Sequence, residues 1–118
     1  MHYACSTSNY KLCKLLLDEG SDANIQMNDK QTPLFVAVET NNYKIAKLLI
    51  DNNANVNQKL DDVMLGYTPL HTAIYHENYE ICELLITSKA NVELTDTYGT
   101  TPENLLRNSN ISDLLKLV

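Results

Sequence analysis

One register governs this sequence. Thr32-Pro33-Leu34 returns as Thr68-Pro69-Leu70, and Thr101-Pro102 opens a third copy, at steps of 36 and 33 residues. Asn9-Tyr10, Asn42-Tyr43 and Asn78-Tyr79 keep the same register, 33 and 36 residues apart. Leu15-Leu16, Leu48-Leu49 and Leu84-Leu85 repeat that spacing, and Ala23-Asn24, Val56-Asn57 and Val92-Glu93 close each unit. A period near 33 residues, held by independent markers, constrains the chain to a repeat architecture. A unit of this size cannot bury an apolar face alone, so neighbouring units must stack.

Each unit reads as two helices. Thr before Pro is a helix start: the hydroxyl caps free N–H groups, and Pro at the first helical position loses no needed donor. First helices are therefore expected at Pro33, Pro69 and Pro102, with an earlier one near Met1. Asn41 ends one of them in a tight left-handed turn, where Ser8 and Glu77 fit less well. Second helices follow, Tyr43 to Asn52 and Tyr79 to Ser88, ended by Gly20, Asn53 and Lys89 in successive units. Ile45, Leu48 and Leu49 form one apolar face, repeated by Ile81, Leu84 and Leu85 and by Leu12, Leu15 and Leu16. Leu48 and Leu84 are expected to be buried between neighbours.

These residues resemble the ankyrin family. Thr68-Pro69-Leu70-His71-Thr72-Ala73 is similar to its opening motif, Glu80-Ile81-Cys82-Glu83-Leu84-Leu85-Ile86 to its second helix, and Lys89-Ala90-Asn91-Val92 to the turn before its projecting loop. The resemblance covers essentially the whole chain and implies an all-α solenoid of stacked helix-turn-helix units with projecting hairpin loops. The units fall at about 1–31, 32–67, 68–100 and 101–118. Family members act overwhelmingly as protein-binding scaffolds, whose loops and first helices line a concave groove. The fold carries no shared ligand and names no partner. The resemblance also implies that Asn24 and Asn57 match a position hydroxylated in many ankyrin proteins; the third unit has Glu93 there. Tyr10, Tyr43 and Tyr79 align with a family Leu position and are expected in the core.

The departures matter too. Met1 aligns with Leu34 and Leu70, and His2 with Phe35 and His71, so the chain starts inside a unit, as a piece of a longer array or a split product would. Glu103 replaces the apolar Leu70 position and Leu106 the Ala73 position, the polar substitution a terminal cap carries. The loop from Asn57 to Thr68 is three residues longer than those from Asn24 to Thr32 and from Glu93 to Thr101. Insertions in repeat proteins map to loops, often on the binding face; neutral drift explains them as well, because longer loops cost little.

Chemistry is sparse. The net charge of −6 opposes nucleic acid and anionic membrane surfaces. The longest aliphatic run, Leu15-Leu16-Leu17, is far too short to span a bilayer. Cys5, Cys13 and Cys82 are an odd number without framework spacing, which points to a reducing intracellular compartment, cytoplasm or nucleus. Cys13 and Cys82 share the repeat position of Ala46, and Cys5 that of Val38 and Ile74, so all three are expected in the core rather than in redox chemistry. No pair of His or Cys has zinc-ligand spacing, and Asp61-Asp62 offers too few oxygens for calcium. No cofactor is expected. His71 is expected to hydrogen-bond within and between units, not to catalyse. Lys11, Lys14, Lys44 and Lys47 recur as a solvated outer face. No site geometry for an enzyme can be composed.

The expected function is therefore binding of another protein by a monomer. The groove positions that the resemblance marks are Gln31, Tyr67 and Thr100, then Asp29, Leu65 and Tyr98, then Glu39, Thr40, Tyr75 and His76. The partner-binding set is Tyr67, Tyr75, His76, Tyr98, Leu65, Met64 and Glu39. Tyrosine supplies rigid contact area at low entropy cost, although scattered exposed aromatics are ordinary. Richness in Asn, Lys and Ile, with Arg107 the one arginine, suits an AT-rich genome. Viruses and intracellular pathogens with such genomes carry ankyrin proteins aimed at host factors as adaptors or inhibitors. The alternative is a remnant of a longer array with no partner of its own.

Overall fold

A computed structural model describes residues 2–27 and 29–118. Its helices run in pairs. The inner ones are α1 (His2–Ser6), α3 (Pro33–Glu39), α5 (Pro69–Tyr75) and α7 (Pro102–Arg107). The outer ones are α2 (Tyr10–Asp18), α4 (Tyr43–Asp51) and α6 (Tyr79–Thr87), and a 3₁₀ helix over Ser112–Leu117 takes the last outer place. Inner helices pack on inner and outer on outer, so two layers of helices stack along one axis. There is no strand among the described residues. The expected start at Met1, and the likeness of the His2 side chain to His71, lie outside what is described.

Caps fix the register. Thr32, Thr68 and Thr101 each accept a hydrogen bond from the backbone N–H three residues on, at 3.2, 3.3 and 3.2 Å. The outer helices start the same way: Asn9, Asn42 and Asn78 accept from Leu12, Ile45 and Ile81 at 3.1, 3.0 and 3.1 Å. The Asn-Tyr marker is thus a helix cap followed by the first helical residue. At the equivalent place in the last pair stands Ile111, which has no capping side chain. The fourth outer helix accordingly tightens into the 3₁₀ form, where a regular second helix was expected. Between helices, Ser8, Asn41 and Glu77 adopt φ of 58°, 57° and 53°, and Lys89 reaches 71°. Asn41 tolerates this geometry, and the stack imposes it on Ser8, Glu77 and Lys89, which do not prefer it.

The core corrects two expectations. Ile45, Leu49, Ile81 and Leu85 are wholly buried, whereas Leu48 and Leu84 are only half-buried. The buried face of α4 is Ile45, Ala46 and Leu49, and Leu48 lies at its edge. Leu15, the counterpart of Leu48, is 55% exposed. Tyr10, Tyr43 and Tyr79 are not core residues but 41%, 38% and 40% exposed. A side chain at the first helical position, next to the cap, stands at the helix end and not over the stack.

Polar side chains tie unit to unit. Asn24 donates to the Asn53 carbonyl at 3.0 Å and accepts from Asn55 N–H at 2.6 Å. Asn57 accepts from Asn91 N–H at 2.7 Å. Both asparagines are therefore rivets between successive turns.

Candidate protein-interaction face

The inserted loop is built, not slack. Leu60 N–H donates to the Tyr67 carbonyl at 2.8 Å, closing the loop at its base. A single 3₁₀ turn, Asp62–Met64, forms the tip. Asp61 N–H reaches back to the Asp29 carbonyl at 3.1 Å, and the Leu65 carbonyl accepts from Thr97 N–H at 2.9 Å, so the loop is bonded to both neighbouring loops. Leu60 is buried beneath it. Gly66 is required twice over. Its φ is 64°, and a Cβ there would stand 3.1 Å from Thr97 Oγ1 and 3.3 Å from Thr97 N.

Under this loop lies an open cavity of about 390 Å³ between α3 and α5. Met64 and Leu65 form its roof with Val63, and Tyr67, Tyr75 and His76 form one side. Phe35 and Glu39 form the other, with Leu60 and Thr72 deeper. Six of the seven residues expected at the interface therefore share one cavity. Tyr98 does not: it stands at the tip of the next loop, 76% exposed. There Asp96 accepts from Tyr98 N–H and Thr100 N–H, both at 2.9 Å, which shapes the loop without turning Tyr98 towards the cavity.

An aromatic column joins this cavity to the core. Tyr67 stacks on His71 with ring centroids 5.7 Å apart and meets Tyr75 at 5.2 Å. Partial burial, and then a hydrogen bond with Tyr67, push the Tyr75 phenol up to about 12, so it stays neutral. His71 is fully buried. Its Nδ1 accepts from Thr68 N–H at 3.1 Å, which leaves Nε2–H to donate to the Thr100 carbonyl of the next unit at 2.9 Å. Burial holds its pKa below the usual value. The ring is thus a neutral bridge between units and leaves no free nitrogen for catalysis.

The three cysteines are free and buried. Burial pushes Cys5 and Cys82 up to about 12 and raises Cys13. Cys5 Sγ and Cys13 Sγ lie 3.8 Å apart, a pairing across α1 and α2 that repeat alignment could not show. Among the described residues no group of His, Cys, Asp or Glu could hold a metal ion. No helix among the described residues is long and apolar enough to cross a membrane.

The stacked pairs, their Thr-Pro starts and their inter-unit asparagines agree with comparison to known families: a model described as ankyrin repeats (3 copies) matches residues 1–102. The chain belongs to the ankyrin-repeat family. No curated protein sequence matches it significantly. Ankyrin repeats are in general protein–protein interaction modules and typically carry no catalysis. The two layers of the ankyrin stack differ. Its outer layer repeats tyrosine in α2, α4 and α6, with lysine beside it in α2 and α4, whereas the cavity is made of side chains that occur once. A 33-residue comparison finds the first set and overlooks Phe35, Leu60 and Val63, whose place depends on how the longer loop folds back.

Proposed function

We propose that this ankyrin array binds a partner protein as a monomer through its concave face, with Tyr67 and Tyr75 at the centre of the contact. The observation that carries this reading is the cavity itself: an inserted loop, bonded to both neighbours, encloses apolar and aromatic surface and leaves it open to solvent. Tyrosines at the rim of such a recess are the usual source of binding energy. The acidic balance of the chain steers the face towards a basic partner surface. The Asn-rich composition with one arginine favours a source with an AT-rich genome. In such a source the partner is a host factor inside the cell, met by an adaptor or inhibitor.

Proximity labelling by the intact chain tests this, run beside a Tyr67→Ala/Tyr75→Ala variant with a matched urea midpoint. The expected result is a set of proteins labelled by the parent and lost from the variant. An identical set from both would remove the concave face from consideration.

A further inference from the structure

We propose that the cavity under the inserted loop is an anchor site for an arginine side chain carried by an extended segment of the partner. This deepens the concave-face reading and rests on it. The walls are aromatic and aliphatic, chiefly Phe35, Leu60, Met64, Tyr67 and Tyr75. Glu39 is the one formally charged residue of the lining; it is exposed and makes no ion pair among the described residues. Lys30, by contrast, is engaged with Asp61 at 3.9 Å. An apolar anchor would fill the cavity but strip water from the Glu39 carboxylate and leave it unpaired, which is costly. An acidic anchor would add repulsion. Arginine answers both demands. Its methylene stem covers apolar wall, its planar guanidinium stacks on a tyrosine face, and its fork bonds a carboxylate with two parallel N–H donors. Lysine offers only a point charge to the same carboxylate.

Glu39 also fixes a direction. It borders a second groove of about 520 Å³, between α1 and α3, whose walls include Tyr3, Met27 and Val36. The two grooves lie one helix apart, an interval of about 8–10 Å between packed axes. Extended chain advances about 3.1–3.3 Å per residue, so this interval spans about three residues. The segment therefore carries arginine at one position and an apolar side chain three residues away, with the net charge of −6 drawing it in.

A peptide array tests this with the whole labelled chain as probe. Nine-residue peptides of Gly, Ser and Ala carry arginine, citrulline, lysine, leucine or glutamate at one site and leucine or alanine three residues on. Arginine with leucine should bind best, and neutral citrulline should weaken it about tenfold. Glu39→Gln should erase the difference between arginine and citrulline, while Tyr75→Ala should weaken both. Equal binding of citrulline and arginine, preference for leucine or glutamate, or no binding by any peptide would overturn the arginine assignment. If non-arginine peptides bind and Tyr75→Ala releases them, the concave face stands and only the anchor chemistry fails. If binding survives Tyr75→Ala and Glu39→Gln but is lost with Tyr43→Ala, both readings fall.

Discussion

The two layers of the stack carry tyrosines for different reasons. On the outer layer, Tyr10, Tyr43 and Tyr79 recur once per unit, each directly after a capping asparagine. Tyr10 and Tyr43 border a groove with Lys11, Lys44 and Lys47. On the inner layer, Tyr67 and Tyr75 occur in one unit junction only, in contact with each other, and Tyr67 also stacks on His71. Both sets are partly exposed. What separates them is repetition: a residue that recurs at every unit reports how the units are built, and one that breaks the pattern reports what this array does with its surface.

That distinction can be broken by mutation. The largest effect belongs to the repeating core. Leu49→Ala or Leu85→Ala should cost about 2–5 kcal/mol, read from urea melts, because both side chains are wholly buried. Leu48→Ala, at the half-buried edge, should cost clearly less. Equal losses at Leu48 and Leu49 would mean that the buried face of α4 is misassigned. Next come the repeating caps. Asn42→Ala should cost about 1 kcal/mol and leave binding untouched, since its side chain serves the Ile45 N–H. A binding loss at matched stability would move the functional face to the outer layer.

A third effect separates the junctions by pH. Folding holds His71 neutral by burial, with its pKa below the usual 6.5. As pH falls through that value, the unfolded chain takes up a proton that the folded chain resists, so stability drops. It is fully present above the unfolded value and declines below it towards the depressed folded one. The preceding unit has Phe35 at the same position, and His71→Phe should flatten the decline between pH 7 and 5. A slope unchanged by that substitution would assign the proton to another group. The smallest effect is expected at the outer surface. Lys47→Ala breaks an exposed pair with Asp51 at 3.5 Å and should shift stability by about 0.5 kcal/mol or less.

Periodicity made most of the fold legible. Thr-Pro starts and Asn-Tyr steps placed the first residue of α3, α5, α7, α4 and α6, because caps act locally and leave a signature in a few residues. Burial was less legible. Leu48 and Leu49 are adjacent, and a turn of about 100° per residue decides which faces the stack, so the wrong one was favoured. The outer tyrosines failed for a related reason: aligning them with a core position ignored that they sit at the helix end. Ile111 shows a third limit, since a missing cap changes helix type without disturbing the apolar pattern. At the candidate site, Glu39, Tyr75 and His76 follow from repeat position alone. Tyr98 shares their register, but it stands on a loop closed like the one between Met27 and Gln31, whereas the cavity is lined by the longer inserted loop. The cavity depends on loop-to-loop bonds through Asp61 and Leu65, which no spacing encodes.

The central claim is that the non-repeating inner tyrosines, and not the repeating outer ones, meet the partner. The most direct measurement is a calorimetric titration of the recovered partner against two double variants of equal urea midpoint, Tyr67→Ala/Tyr75→Ala and Tyr10→Ala/Tyr43→Ala. Losing an aromatic anchor costs about 2 kcal/mol or more, so the inner variant should weaken binding by at least about thirtyfold while the outer one stays within about twofold of the parent. Loss of affinity in the outer variant, with the inner one unchanged, would contradict the account.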